Sequence, residues 1–389
     1  MATRNNPLEK SLSGWKIIIP IVIGLSIAVW MIYRSVNQTT FIPSENGKGE
    51  YTWLDANKNG VVDIHEKAEF ILSDAGNYNL ETVSTVIKSI DFGFHVWFWL
   101  FIAIVFMVGR DVFYMIRIRV LTKNELSWKR SFNVILLWEF ASALTPGVVG
   151  GAAVAMFILT KEKIALGRAT AIVVITAFLD NLFYLLMIPL VFLVIDQSVL
   201  FPENVSGSGS VQAIFWTGFA LIFGVCSFLY ASIFLFPSLA KTVLGFIFKF
   251  PLLKRWREKA MQTGEEIYTT SGELKGEPFS FWVKAFLSTC GSWISRYLVI
   301  NAILQAFIQL SITQHFLLLG KQLVLWLFML VSPTPGASGV AEYAFGELLS
   351  TFAASSMLLV AMAVIWRLIS YFPYLFIGAF LLPRWLRKS

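Results

Sequence analysis

Thr145-Pro146-Gly147-Val148-Val149-Gly150-Gly151-Ala152 and Thr334-Pro335-Gly336-Ala337-Ser338-Gly339-Val340-Ala341 are two copies of one pattern, TPGxxGxA. Each copy sits in the middle of an apolar stretch, roughly 132–159 and 318–349, with a tryptophan upstream (Trp138 and Trp326). Proline removes an amide N–H and breaks a helix, and glycine permits a sharp turn. Each stretch is long for one membrane crossing and short for two, since a crossing takes about 20 apolar residues. The reading that fits both is a helical hairpin with its tip at TPG; the plainer one is a kink in a core helix.

The rest of the chain is membrane-like. Of 389 residues, 57% are hydrophobic and only 14% charged, against about 25% charged in a soluble domain; the mean hydropathy is +0.69. The net charge of +7 collects in particular loops, which speaks for membrane topology and against nucleic-acid binding. Cys226 and Cys290 lie in apolar runs and give no disulfide framework. The first apolar run ends in Trp30, Met31, Tyr33 and Arg34, not in the small residues of a signal-peptide cleavage site, so it reads as an uncleaved helix.

Six stretches qualify as full spans: roughly 15–33, 92–109, 170–195, 211–234, 285–310 and 355–380. Lys and Arg concentrate in 110–131, 161–168, 235–284 and the C-terminus, whereas 35–91 is acidic on balance and 196–212 has neither. By the positive-inside rule the basic segments and both termini face the cytoplasm, and 35–91 lies outside. Both ends of 132–159 then lie inside and both ends of 318–349 outside. The expected fold is an all-α polytopic membrane protein with two oppositely oriented re-entrant hairpins, an inverted repeat. It divides into an N-terminus with the first helix (1–34), an outer loop (35–91), a first half (92–234), a basic connector (235–284) and a second half (285–389). Backbone broken at membrane depth survives only against protein or water, so a midplane cavity between the tips is expected.

Five ionisable residues fall inside or beside these segments: Glu139, Asp180, Arg296, Glu342 and Arg367. Asp180 follows Pro146 by 34 residues and Arg367 follows Pro335 by 32. A charge at the bilayer centre costs on the order of 3 kcal/mol on insertion scales, so these residues either pair with one another or serve a ligand. Arginine binds phosphate bidentately, and helix N-termini favour anions. The candidate lipid cavity therefore comprises Glu139, Thr145, Pro146, Gly147, Asp180, Arg296, Thr334, Pro335, Gly336, Glu342 and Arg367; plain helix-holding salt bridges remain the alternative.

In the outer loop, Asp55 to Glu66 matches D-x-[DN]-x-[DN]-G-x5-E. Asp55, Asn57 and Asn59 would give side-chain oxygens, Val61 its carbonyl, Asp63 a ligand through water, and Glu66 the closing bidentate pair. An EF-hand-like Ca2+ site with an exiting helix from about His65 to Ser73 is expected, structural in role; a solvated acidic turn is the alternative. His65, His95 and His315 are scattered, and no Walker, Rossmann, HExxH or GxSxG motif occurs, so a catalytic role is not favoured.

EFASALTPGVVGG (139–151) and SPTPGASGVAEYAFG (332–346) resemble the paired signatures of the lysylphosphatidylglycerol synthase transmembrane-region family, also described as flippase-like (UPF0104-type), over roughly 92–389. Asp180 and Arg367 stand where that family tends to place an acidic and a basic residue. The resemblance implies a domain of a prokaryotic cytoplasmic (inner) membrane that moves or accommodates lipids, such as an anionic phospholipid or an isoprenoid-phosphate lipid. Two features depart from it: Gly150-Gly151-Ala152 stands where many relatives carry a Glu, and the calcium loop is not general to the family. No aminoacyl-transferase domain is seen after the basic tail, so synthesis of the lipid is not expected. A membrane-embedded transferase using Asp180 or Glu342 as base, or a calcium-dependent scaffold, are the alternatives; no oligomer is indicated.

Overall fold

The computed structural model describes residues 32–44, 47–145, 147–201, 208–249, 254–332, 334–353 and 355–387, with residues 22, 26, 29 and 30 before them. Most of the first expected span, 15–33, together with Pro146 and the side chain of Pro335, lies outside that description.

The outer loop is not helical. It folds into a four-stranded antiparallel sheet of β1 (Thr39–Pro43), β2 (Gly49–Trp53), β3 (Phe70–Gly76) and β4 (Tyr78–Thr82), in the order β1-β4-β2-β3. Its core is aromatic: Phe41 stacks on Phe70 at 3.9 Å between ring centroids, and Tyr51 and Tyr78 meet them edge-on. The sheet is confined to this segment, and the rest of the described chain is helical as expected. The expected exiting helix is corrected: after one 3-10 turn at Lys67–Glu69, residues 70–76 form a strand. Phe70, Tyr78 and Phe41 suit a pleated half-buried surface better than a helix.

A short helix α1 (Val83–Ser89) leads to α2 (Phe94–Leu121). One face of α2 leaves Phe94, Phe98, Phe101, Val105, Val108 and Val112 exposed, while Ala103, Met107, Arg110, Tyr114, Arg117 and Leu121 are buried. An apolar face exposed at helical spacing on a membrane protein faces lipid. At 28 residues the helix is about 42 Å long, so it reaches well past 109. Arg110 and Arg117, counted above as loop residues, belong to its buried face.

The first broken stretch is α3 (Trp128–Leu144) and α4 (Gly147–Lys161), packed side by side. A Cβ on Gly151 would come within 2.6 Å of Ser142 Oγ, which shows how closely the arms approach. Next come α5 (Leu166–Val194), the turn α6 (Gln197–Leu200), α7 (Ser208–Tyr230, ending in a π turn to Leu235), α8 (Leu239–Ile247) and α9 (Arg257–Leu274). The second half is α10 (Phe279–Phe307), α11 (Ile312–Val331), α12 (Val340–Leu349), α13 (Ser356–Ser370) and α14 (Phe372–Leu386). The span expected at 355–380 is therefore two helices hinged at Tyr371 (φ −126°, ψ −56°).

Five helical segments among the described residues are long and apolar enough to cross a membrane: Phe94–Leu121, Leu166–Val194, Phe215–Leu235, Ile312–Leu330 and Ser356–Leu386. The chain is thus a mostly helical integral membrane protein. Ile312–Leu330, expected as half of a hairpin, has the length of a whole crossing, whereas α12, which returns beside it, has only 10 residues. Helix α10 is long but more polar, because it packs along α2 through small residues. A Cβ on Gly291 would overlap the Phe113 ring at 2.6 Å, and Gly109 lies against Ser295. Small residues that let backbones approach are what membrane helices use to associate.

Candidate functional site: charged seam between the hairpins

Helix α2 presents Arg110, Asp111, Tyr114 and Arg117 inward, residues that fall on one side of a helix. Arg110 pairs with Glu139 of α3 at 2.5 Å and reaches Asp111 at 3.2 Å. Its guanidinium also donates to the Tyr374 hydroxyl at 2.9 Å, and that hydroxyl donates to Asp111 at 2.7 Å. Arg117 pairs with Asp180 of α5 at 2.5 Å and donates to Thr289 Oγ1 at 3.2 Å. Trp293 Nε1 donates to the same Asp180 oxygen at 2.9 Å. The Tyr114 ring lies between the two guanidiniums, 4.7 Å from each.

The second cluster belongs to the other tip. Arg367 of α13 pairs with Glu342 of α12 at 2.6 Å and donates to the Gly336 carbonyl at 3.0 Å. Glu342 accepts the Gly339 N–H at 2.7 Å, satisfying an orphan donor at the start of α12. Gly336 (φ 58°), Ala337 (φ 54°) and Gly339 (φ 84°) are left-handed, and Thr334 Oγ1 closes the turn on the Ser338 carbonyl at 2.9 Å. At the first tip, Thr145 ends α3 with its hydroxyl on the Ala141 carbonyl at 2.8 Å, and Gly147 begins α4.

Tyr371 joins the two tips. Its hydroxyl donates to the Ala143 carbonyl of the first hairpin at 3.1 Å. Its ring lies so close to Gly336 of the second that a Cβ there would sit 2.2 Å away. The Pro335–Ala337 turn packs against both arms of the first hairpin. An open chamber is expected between the tips from the sequence; here a tyrosine fills that place.

Glu139, Asp180, Glu342 and Arg367 each make an ion pair. The arginines are enclosed, with side chains 1–7% exposed for Arg110, Arg117 and Arg367, while Glu139, Asp180 and Glu342 keep 16–25%. The carboxylates are thus somewhat more exposed than the arginines they pair with. Arg296 stands apart. It is half-buried, makes no ion pair among the described residues, and lies over the Trp293 ring at 5.3 Å. It is within electrostatic reach of Glu139 and Asp111. Beside it is an aromatic wall: Tyr184 stacks on Trp326 at 3.8 Å, meets Trp293 edge-on, and shares a hydrogen bond with Tyr297.

Arg110, Asp111, Arg117, Tyr371 and Tyr374 were not singled out from the sequence. The signal for Arg110 and Arg117 was the spacing Arg110, Tyr114, Arg117 continuing a helical period past the first positive charge.

In the 35–91 segment, Asp55 to Asp63 form a turn closed by side-chain hydrogen bonds. Asp55 carboxylate oxygens accept the N–H groups of Asn59 at 3.1 Å and Gly60 at 3.0 Å, and Asn57 and Asn59 amides donate to Asp63 at 2.9 and 3.0 Å. Glu66 is exposed and stands at the start of the 3-10 turn. Among the described residues no group of three or more His, Cys, Asp and Glu side chains is gathered as a metal site.

The UPF0104 membrane protein of Archaeoglobus fulgidus is 25% identical to this chain over 297 residues, covering 73% of this chain and 85% of that protein. No solved structure matches. The pattern of the lysylphosphatidylglycerol synthase TM region extends over residues 69–378, taking in the last strands of the outer sheet, both hairpins and every residue of the charged seam. The chain belongs to the lysylphosphatidylglycerol synthase TM region family.

Proposed function

We propose that the chain translocates or accommodates a lipid whose headgroup carries a phosphate, an anionic phospholipid or an isoprenoid-phosphate lipid, between the two hairpin tips. In this reading both hairpins are re-entrant, from opposite faces of a cytoplasmic membrane, with both termini in the cytoplasm. The observation that carries it is Arg296. Among the described residues Arg110, Arg117 and Arg367 each pair with a carboxylate, whereas Arg296 makes no ion pair and lies over the Trp293 ring. A guanidinium in that setting is ready for a bidentate phosphate. The neighbouring carboxylates suit the cationic part of a zwitterionic or aminoacylated headgroup. A headgroup between the tips requires Tyr371 to swing away from Ala143 and Gly336, which makes Tyr371 a gate.

A transferase acting on a lipid-linked substrate has less support, because it needs a free base. Asp180 and Glu342, the two residues suited to that role, are each held by an arginine.

The test is movement of fluorescent phosphatidylglycerol across proteoliposome membranes, read by quenching with an impermeant reductant. Arg296→Ala should abolish movement and Arg296→Lys should impair it, while both variants elute and melt like the wild-type protein. Wild-type rates in Arg296→Ala would end this assignment.

A further inference from the structure

The outer sheet carries a feature that lipid handling does not use. Glu69 is only 2% exposed. Its Oε2 accepts the Trp53 indole N–H at 3.0 Å and the Asp63 N–H at 3.2 Å, while its Oε1 is buried with no hydrogen-bond partner. A buried carboxylate oxygen without a donor costs on the order of 1–3 kcal/mol or more, so the Glu69 Oε1 atom is placed to accept a cation. The carboxylate touches position 9 of the Asp55–Glu66 loop through the Asp63 N–H. The Glu69 carbonyl also accepts the Leu54 N–H at 2.7 Å, which sets Glu69 beside the start of that loop.

In an EF-hand the twelfth residue closes the site because a helix carries it back over the cation. Here the chain leaves the loop through one 3-10 turn into β3, so Glu66 lacks that support and stays exposed. The first carboxylate that turns back toward the loop is Glu69, three residues later. The rest of the donor set is oxygen-only and suits a hard cation: Asp55, the Asn57 and Asn59 side-chain carbonyls, the Val61 backbone carbonyl and Asp63. Lys58 (φ 58°) and Gly60 (φ 72°) already adopt the left-handed turns that wrap such a loop.

We propose that the outer sheet binds a hard divalent cation of the Ca2+ class through Asp55, Asn57, Asn59, Val61 and Asp63, with the buried Glu69, not Glu66, as the closing carboxylate. The Asn57 and Asn59 amides that now donate to Asp63 rotate to present oxygen. Affinity should be in the range of extracellular modules, around 10⁻⁴ to 10⁻³ M. The inference does not depend on the lipid reading.

The test is Tb3+ luminescence of the purified full-length chain in detergent, excited through tryptophan and competed with Ca2+. Trp53 touches Glu69 and is the expected sensitiser. Wild-type protein should give saturable emission that Ca2+ displaces. Glu69→Gln should weaken binding at least about tenfold, and Glu66→Gln by less than about threefold. Asp55→Asn, a half-buried residue, serves if Glu69→Gln disturbs the sheet, and should also lose at least about tenfold with far-UV circular dichroism unchanged. Loss on Glu66→Gln with retention on Glu69→Gln would overturn the closing role. Unaltered binding in Asp55→Asn, or no Ca2+-displaceable emission in the wild type, would overturn the site.

Discussion

The two hairpins share TPGxxGxA and are built differently. The first has arms of 17 and 15 residues, α3 and α4, and borrows its charge partners. Arg110 of α2 serves Glu139 beside its tip, and Arg117 of the same helix serves Asp180 behind it. The second has arms of 20 and 10 residues, α11 and α12. Its tip is a folded turn with three left-handed residues, and its carboxylate Glu342 both caps that turn and pairs with Arg367 of the following helix, α13. The difference teaches that the shared motif specifies a break and not a conformation. What the broken ends do is decided by which neighbour supplies a donor, an acceptor or a ring.

Both hairpins take their arginine from a neighbouring helix, but Arg110 of α2 serves two carboxylates, Glu139 and Asp111, where Arg367 serves one. Arg110→Ala should cost the most, about 3–5 kcal/mol, because it strands Glu139 and Asp111 without their buried partner; denaturation in detergent micelles reads it. A cost under about 1 kcal/mol would mean the first hairpin does not lean on α2. Next comes the turn itself. Gly336→Ala forces a left-handed residue with a side chain, about 1–2 kcal/mol, and drives a methyl into the Tyr371 ring. Gly151→Ala in the first hairpin meets a serine hydroxyl that can rotate, with Ser142 Cα and Cβ at an ordinary 3.4 Å, so its loss of melting temperature should be clearly smaller. Equal effects would remove the distinction between the tips. Smallest is Tyr371→Phe, which deletes one hydrogen bond to Ala143 and should cost about 1 kcal/mol. If Tyr371 is a gate, that variant also moves labelled lipid faster in proteoliposomes, and a slower rate would count against gating.

The breaks at Pro146 and Pro335 were legible, since proline and glycine act through their own backbone. Glu342 and Arg367 were legible as individual residues, because a charge at membrane depth needs a partner or a ligand, but their pairing with each other was not. Arg110 and Arg117 were not, because positive charge was taken to end the span at 109. Their burial depends on Asp111, Glu139 and Asp180, the last 63 residues along the chain from Arg117. The outer sheet was hidden for a related reason. The Asp55–Glu66 motif draws the eye to a helix, whereas Phe41, Tyr51, Phe70 and Tyr78 settle the matter by stacking across strands that are far apart in sequence. Tyr371 reads as one more interfacial aromatic until the two tips are seen on either side of it.

The proposed arrangement brings the two hairpins in from opposite faces of the membrane, with Tyr371 between their tips. Single cysteines at four exposed positions test it, in a chain with Cys226 and Cys290 replaced by alanine, using an impermeant maleimide on intact cells and after lysis. Glu125→Cys and Lys163→Cys should both be protected until lysis, and Ser311→Cys and Thr351→Cys should both react in intact cells. Positions 125 and 163 labelling from different sides would contradict the account.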